Sequence, residues 1–473
     1  MPLLSRVVPT LTSGLVAVVV GALASSAAAV PTSAPRVPDP YYPADGNAGY
    51  DVLHYDIHDT YRLGERRLSG VTTIRLAPSV ELAELDLDLL LKVDSVEVDG
   101  QPAEFEKTTI HELRVTPTTA LTPGTPADVT VRYHGYPQRI PQGGEGWLAD
   151  RHEVVTMGEP HMAAWWFPSN DHPSDKARFD IRITTGKGRE VVSNGVRVGR
   201  TEHGRRATTH WRMSDPMATY LAFFAAGDFA IEKGRSHGLS YYNAVSRRLG
   251  LADRQRSMSA LRKSAKVTAW LQDELGTYPF ATTGGVVTSL DVNFALENQS
   301  RPTYGSWIYG GVVVHELAHQ WFGDDVSVAR WRDVWLNEGF ATYMEHRWTE
   351  THGGASTASW LRRAYRAAGA DFWDLDIADP CGATAPQCSM NDLFGSEIYE
   401  RGSMALAALR NVIGKPDFRR LLRRWVDIHG GGNATSEQFE SLAERVSGQQ
   451  LDAFFDAWLR ASSKPPRTAD YGL

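Results

Sequence analysis

The chain has 473 residues, 42% hydrophobic and 22% charged, which suits two to three globular domains with real cores and excludes a disordered protein. Its formal net charge of −7 leaves no basic domain of the kind that nucleic-acid binders carry. Short basic runs such as "FRRLLRRW", Phe418 to Trp425, have apolar residues at helical spacing and read as the wet face of a helix.

At the N-terminus, Arg6 precedes an apolar core from Leu15 to Ala24, and Ala27, Ala28 and Ala29 fit a small-x-small cleavage site. The core is too short to span a bilayer, so residues 1–29 read as a secretory signal peptide. No cysteine follows that could take a lipid, and no later segment is long and apolar enough to span. The expectation is a secreted protein with no membrane anchor after signal cleavage. Residues 30–43 are a Pro-rich leader.

From 44 to 243 the pattern has period two. "GVTTIRLA", "SVEVDG", "DVTVRYHG" and "FDIRITT" alternate apolar and polar residues between Gly, Pro, Asp and Asn. A β-rich domain is predicted there. The period then changes near 240 to 250. Met258, Leu261, Ala265, Val267, Leu271 and Leu275 follow helical spacing up to Gly276, and most of 244–473 is predicted helical. Near the end, "TSEQ" (Thr435 to Gln438) fits a capping box for the helix that precedes "LDAFFDAWL". In the latter, Leu451, Phe454, Phe455, Trp458 and Leu459 form one buried helix face. The fold class is therefore α+β and multidomain. The two cysteines, Cys381 and Cys388, are predicted to close a small disulfide loop, with two free thiols as the alternative.

Two stretches carry His-Glu-Leu. In "TIHELRV" His111 opens the triplet, but Val115 stands where a second histidine would be needed. In "VVVHELAHQWFG" His315 and His319 lie four apart, on one helix face, and can reach one ion about 2 Å away. Glu316 sits about 100° round the helix, placed to hold a water beside that ion. Catalytic zinc takes three protein ligands and keeps one position open. Glu338, nineteen positions after His319 in "DVWLNEGFATYMEH", is a carboxylate among apolar residues of a second helix, a costly placement unless it meets a metal.

"HELAHQWFG" followed by "WLNEGFA" resembles the gluzincin metallo-aminopeptidases of the aminopeptidase N type, a wider family that includes leukotriene hydrolase. The resemblance implies a saddle-like N-terminal β domain, a thermolysin-like catalytic domain, and one zinc per chain on His315, His319 and Glu338. It implies Glu316 as general base. "NFALEN", Asn293 to Asn298, is similar to the family's Gly-x-Met-Glu-Asn, which places Ala295, Glu297 and Asn298 at the substrate and Glu297 on its free amino end. Phe294 stands at the family glycine, where backbone approaches closely, so the first-residue pocket is expected to be reshaped. "GEPHMAAWWFPSNDHPSDKARF" is similar to the segment that brings a second acid, Glu159, to the amine. "EIYERGSMALAALR" is similar to the Tyr-x-Lys-Gly stretch, making Tyr399 the oxyanion donor and putting Arg401 at the lysine. The implied activity is removal of N-terminal residues from peptides with a free N-terminus. The alternatives are a thermolysin-type endopeptidase, an epoxide hydrolase on the same fold, and a non-catalytic exported binding protein. The large helical C-terminal domain of many members is expected to be absent, which would leave the site more open.

Overall fold

The computed structural model describes residues 39–140, 146–382 and 388–473, so the signal-peptide reading and most of the Pro-rich leader lie outside the described residues. The first half is built on an eight-stranded sheet. Its order is Val196–His203, Arg206–Ala218, Lys176–Gly186, Tyr50–Arg62, Arg67–Pro78, Ala127–Gly135, Lys92–Val98 and Gln101–Pro102. The strand Tyr50–Arg62 buries Tyr50 and Val52, then Tyr55, Ile57, Asp59 and Tyr61. The alternation slips by one at Leu53, where the pairing with Arg67–Pro78 is bulged, because one extra residue flips the faces of those after it. A three-stranded sheet (Leu85–Asp88, Glu112–Thr116, Glu104–Lys107) and a four-stranded one (Glu190–Ser193, Phe224–Gly227, Val154–Thr156, Trp147–Ala149) complete this half.

The hairpin Phe229–Ser236 and Leu239–Ser246 belongs to the second half of the chain. Leu239–Ser246 pairs in parallel with Thr282–Val287, which pairs with Thr303–Tyr304. The period-two run read up to 243 thus ends in a hairpin that pairs with strands of the second half. A period-two pattern reports a strand but not which sheet it joins.

The second half is mainly helical: α1 Leu251–Leu261, α2 Ser264–Leu275, α3 Gly310–Ala318, α4 Trp335–Thr351, α5 Thr357–Ala367, α6 Met390–Leu393, α7 Ser396–Ile413, α8 Lys415–His429 and α9 Ser436–Ser447. The helical spacing read from Met258 to Leu275 falls on two helices, separated at Arg262 and Lys263. Thr435 and Gln438 form the capping box, at the start of α9. Helix α8 buries Phe418, Leu421, Leu422, Trp425 and Val426 and leaves its arginines on the other face. Leu451, Phe454, Phe455, Trp458 and Leu459 are all buried, as their spacing predicts. Helices α4 and α7 cross at glycine on glycine: a Cβ on Gly339 would lie 2.9 Å from the Gly402 Cα. That crossing brings the residue after Glu338 against the turn after Tyr399, which larger side chains would prevent.

The described end of the leader is not peripheral. Asp39, Tyr41, Tyr42 and Asp45 are buried. Two tyrosines within five residues supply the apolar area that holds this segment down, a signal that its proline content obscures.

Candidate metal centre and cleft

Helix α3 is apolar almost all round, and its turn from His315 to His319 is buried on every side. His315 and His319 converge with Glu338 of α4. Glu338 Oε2 lies 3.2 Å from His315 Nε2 and 3.3 Å from His319 Nε2. Two imidazole nitrogens and a carboxylate oxygen form the donor set of catalytic zinc, so the residues present fit that ion. Burial alone would raise the Glu338 carboxyl, yet His319 and His315 hold it below the usual carboxylate range.

The far nitrogens of both histidines are engaged. His315 Nδ1 is 3.0 Å from Glu345 Oε1, and His319 Nδ1 is 3.0 Å from the Phe322 carbonyl oxygen. A proton held on Nδ1 leaves the Nε2 lone pair free for a metal and fixes each ring's orientation. Sequence reasoning did not identify these partners. Glu345 was findable in principle, since it lies two helical turns beyond Glu338 on the same face of α4. The Phe322 carbonyl was not, because it depends on how the chain turns after α3.

A cleft of about 480 Å³ opens over this centre. It is bordered by Glu159, Phe294, Ala295, Glu297, Glu316 and Tyr399 together with the three metal-site residues. Glu316 is 4% exposed, and burial pushes its carboxyl up to about 8 against the pull of His315 and His319. The Tyr399 ring lies over His315 with centroids 5.9 Å apart, and burial pushes its phenol well above its ordinary value, so it stays a donor. Glu159 and Glu297 each have a buried Oε1 without a hydrogen-bond partner. Burial raises both carboxyls, and Glu297 raises that of Glu159 further. Gly158 lets the Glu159 segment pass close to the main chain: a Cβ there would meet the Tyr220 carbonyl oxygen at 2.4 Å.

Two further positions of these motifs lie away from the cleft. Asn298 does not border the cleft; it is fully buried and its Nδ2 donates to the Leu221 carbonyl, so it ties the Glu297 segment to the β-rich half. Arg401, at the family's lysine position, is a buried structural pin, donating to the carbonyls of Trp373, Leu375, Ala457, Trp458 and Ala461. Cys381 and Cys388 are bonded, with Cα atoms 5.6 Å apart.

Both halves match models of one family. Residues 52–221 match the peptidase M1 N-terminal domain and residues 284–458 the peptidase family M1 domain. Among curated proteins, the chain is 27% identical to a probable aminopeptidase 2 of Sulfurisphaera tokodaii over 66% of this chain and 42% of that one. It is 25% identical to a leucyl aminopeptidase of Saccharolobus solfataricus over 88% of this chain and 54% of that one. The chain thus spans about half the length of the curated relatives it matches. Among solved structures, a variant M1 zinc metallopeptidase from Deinococcus radiodurans bound to a Tyr-Ser-Ala substrate superposes with a TM-score of 0.82 at 27% identity, over 91% of this chain and 99% of that one. A second structure of an M1 zinc metallopeptidase from Deinococcus radiodurans gives a TM-score of 0.80 at 27% identity. With both halves matched and a histidine–histidine–glutamate set at the centre, the chain belongs to peptidase family M1, and zinc is its cofactor.

Proposed function

We propose that the chain is a secreted aminopeptidase that removes single residues from peptides with a free N-terminus. The observation that carries this reading is the pair of buried, unpartnered carboxylate oxygens, Glu159 Oε1 and Glu297 Oε1, on the same cleft as the metal centre. Buried carboxylates without a partner are costly, and an α-ammonium group between them relieves that cost. A substrate whose amine is blocked leaves both unpaired, a penalty of roughly 3 kcal/mol or more. N-acetylation of a peptide should therefore lower kcat/KM by at least ~100-fold. Equal turnover of free and acetylated peptides would favour an endopeptidase and refute the amine-directed reading.

His315, His319 and Glu338 would hold the zinc, which when bound would supply Lewis acidity to the scissile carbonyl and the attacking water. Glu316 takes a proton from that water at a carboxylate oxygen and returns it to the leaving amine. The Tyr399 hydroxyl donates to the oxygen on which charge develops. Glu297 and Glu159 fix the N-terminus so that only the first peptide bond reaches the reacting groups. Phe294, 37% exposed at the cleft edge, narrows the room for the first side chain. Glu316→Gln should lower kcat by at least ~10³-fold with zinc content intact; retained turnover would refute the base assignment.

Export rests on the N-terminal sequence and agrees with the Cys381–Cys388 bond. Among the described residues no helix is long and apolar enough to cross a membrane. Protein recovered from culture medium should begin near Val30, and an intact N-terminus on cell-retained protein would overturn this part.

A further inference from the structure

His111, whose triplet lacks a second histidine, is not idle. Its Nδ1 lies 3.3 Å from Asp88 Oδ1 and its Nε2 lies 3.4 Å from Asp45 Oδ1. Asp45 Oδ2 is in turn 2.6 Å from His161 Nδ1. His161 stands two residues after Glu159, and Tyr42 stacks on its ring with centroids 4.5 Å apart. Asp88 Oδ2 accepts from the Gly46 and Asp171 backbone amides at 3.1 and 2.6 Å. Four charged side chains thus run from the three-stranded sheet through Asp45 to the loop that carries Glu159.

The segment that contributes Asp45 also reaches the other half. Asp39 Oδ2 accepts from the Trp331 amide at 2.7 Å, in the turn that leads into α4 and Glu338. The Tyr41 hydroxyl donates to Asp379 and accepts from the Cys381 amide. The Tyr42 hydroxyl donates to the Cys388 carbonyl at 3.3 Å. These last contacts fall on the disulfide loop ahead of α6 and α7, the latter carrying Tyr399. One short stretch therefore touches the three segments that present Glu159, Glu338 and Tyr399.

We propose that residues 39–47 act as a clamp across the two halves, with Asp45 as a positioning residue that sets Glu159 at the substrate amine through His161. Asp45, Asp88 and His111 lie close enough to share a metal, but the two carboxylates approach different ring nitrogens of His111, an arrangement that favours a chain of ion pairs over a shared ion.

The proposal rests on the amine role of Glu159, so Asp45→Ala, Asp45→Asn and Glu159→Gln are compared as purified zinc enzymes. The readouts are KM and kcat on an aminoacyl p-nitroanilide, Ki for an N-acetylated dipeptide, and bound zinc. Each Asp45 variant should raise KM by ~fivefold or more with kcat within ~twofold, because the amine grip is loosened and not the reacting groups. Ki for the acetylated competitor, which has no amine to grip, should stay unchanged, and zinc should stay at one equivalent. The Asn variant keeps the side-chain volume and serves where the Ala variant does not fold. If Glu159→Gln raises KM and neither Asp45 variant does, the clamp is refuted and the amine reading stands. If Glu159→Gln leaves KM unchanged, the amine reading fails and the proposed route with it. A parallel rise of KM and Ki would show general distortion and also refute the positioning role. A second metal equivalent, lost in the Asp45 variants, would overturn it in favour of a metal site.

Discussion

Replacing Glu345 tests whether the metal centre is held from behind by this carboxylate. The carboxylate is 3.0 Å from His315 Nδ1, and its side chain is 25% exposed while that of His315 is 11% exposed. Removing a carboxylate that orients a metal-binding histidine costs 10- to 100-fold in metal affinity, about 1.4 to 2.7 kcal/mol. Partial exposure of Glu345 lets water take over part of its role, which places the expected loss near tenfold, the lower end. Glu345→Gln keeps the shape and a hydrogen-bonding oxygen but loses the charge, so it should fall below Glu345→Ala in effect. The assay is competition for zinc against a chelator of known affinity, followed by kcat at saturating zinc. His319, oriented by a main-chain carbonyl, is untouched and keeps the site assembled. Unchanged zinc affinity in Glu345→Ala would show that His315 is positioned by packing alone and would refute the argument. Complete loss of the folded state, read by circular dichroism, would show Glu345 to be structural.

Other residues give separate tests. Arg401→Met removes a buried guanidinium that satisfies five carbonyls, and leaving those acceptors unpaired should destabilise by at least ~3 kcal/mol in chemical denaturation. Gly402→Ala forces apart α4 and α7 at a contact that would be 2.9 Å and should cost ~1–3 kcal/mol, with activity per folded molecule reduced because Glu338 and Tyr399 ride on those helices. Asp180 is raised by burial but more strongly lowered by Arg212, His210 and His54, to about 2. A depressed folded-state value means its stabilisation is full above the unfolded value near ~3.9 and disappears as pH falls through that value towards about 2. Asp180→Asn should therefore lower Tm at neutral pH and flatten the Tm profile between those two values, and an unchanged acid profile would refute the assignment.

The chemistry-bearing residues were legible because their spacing is itself a geometric statement. Two histidines four apart on an apolar helix must share a face, and a carboxylate buried in the next apolar helix needs a cation. Strand and helix periods likewise marked the β-rich first half and the helical second half, down to the capping box at Thr435. Neighbours that meet only through folding were decided by tertiary structure. The hairpin at Phe229 joins the sheet of the second half because pairing partners lie about forty residues on, and no local pattern encodes that choice. Arg401 occupies a familiar motif position yet points into carbonyls of distant loops, and Asn298 sits beside Glu297 but faces Leu221. His111, whose triplet fails as a metal motif, gains its role from Asp45 and Asp88, sixty-six and twenty-three positions away. Local sequence determines periodicity, face and backbone freedom. Which charged groups end up sharing one low-dielectric volume is settled only when the chain packs.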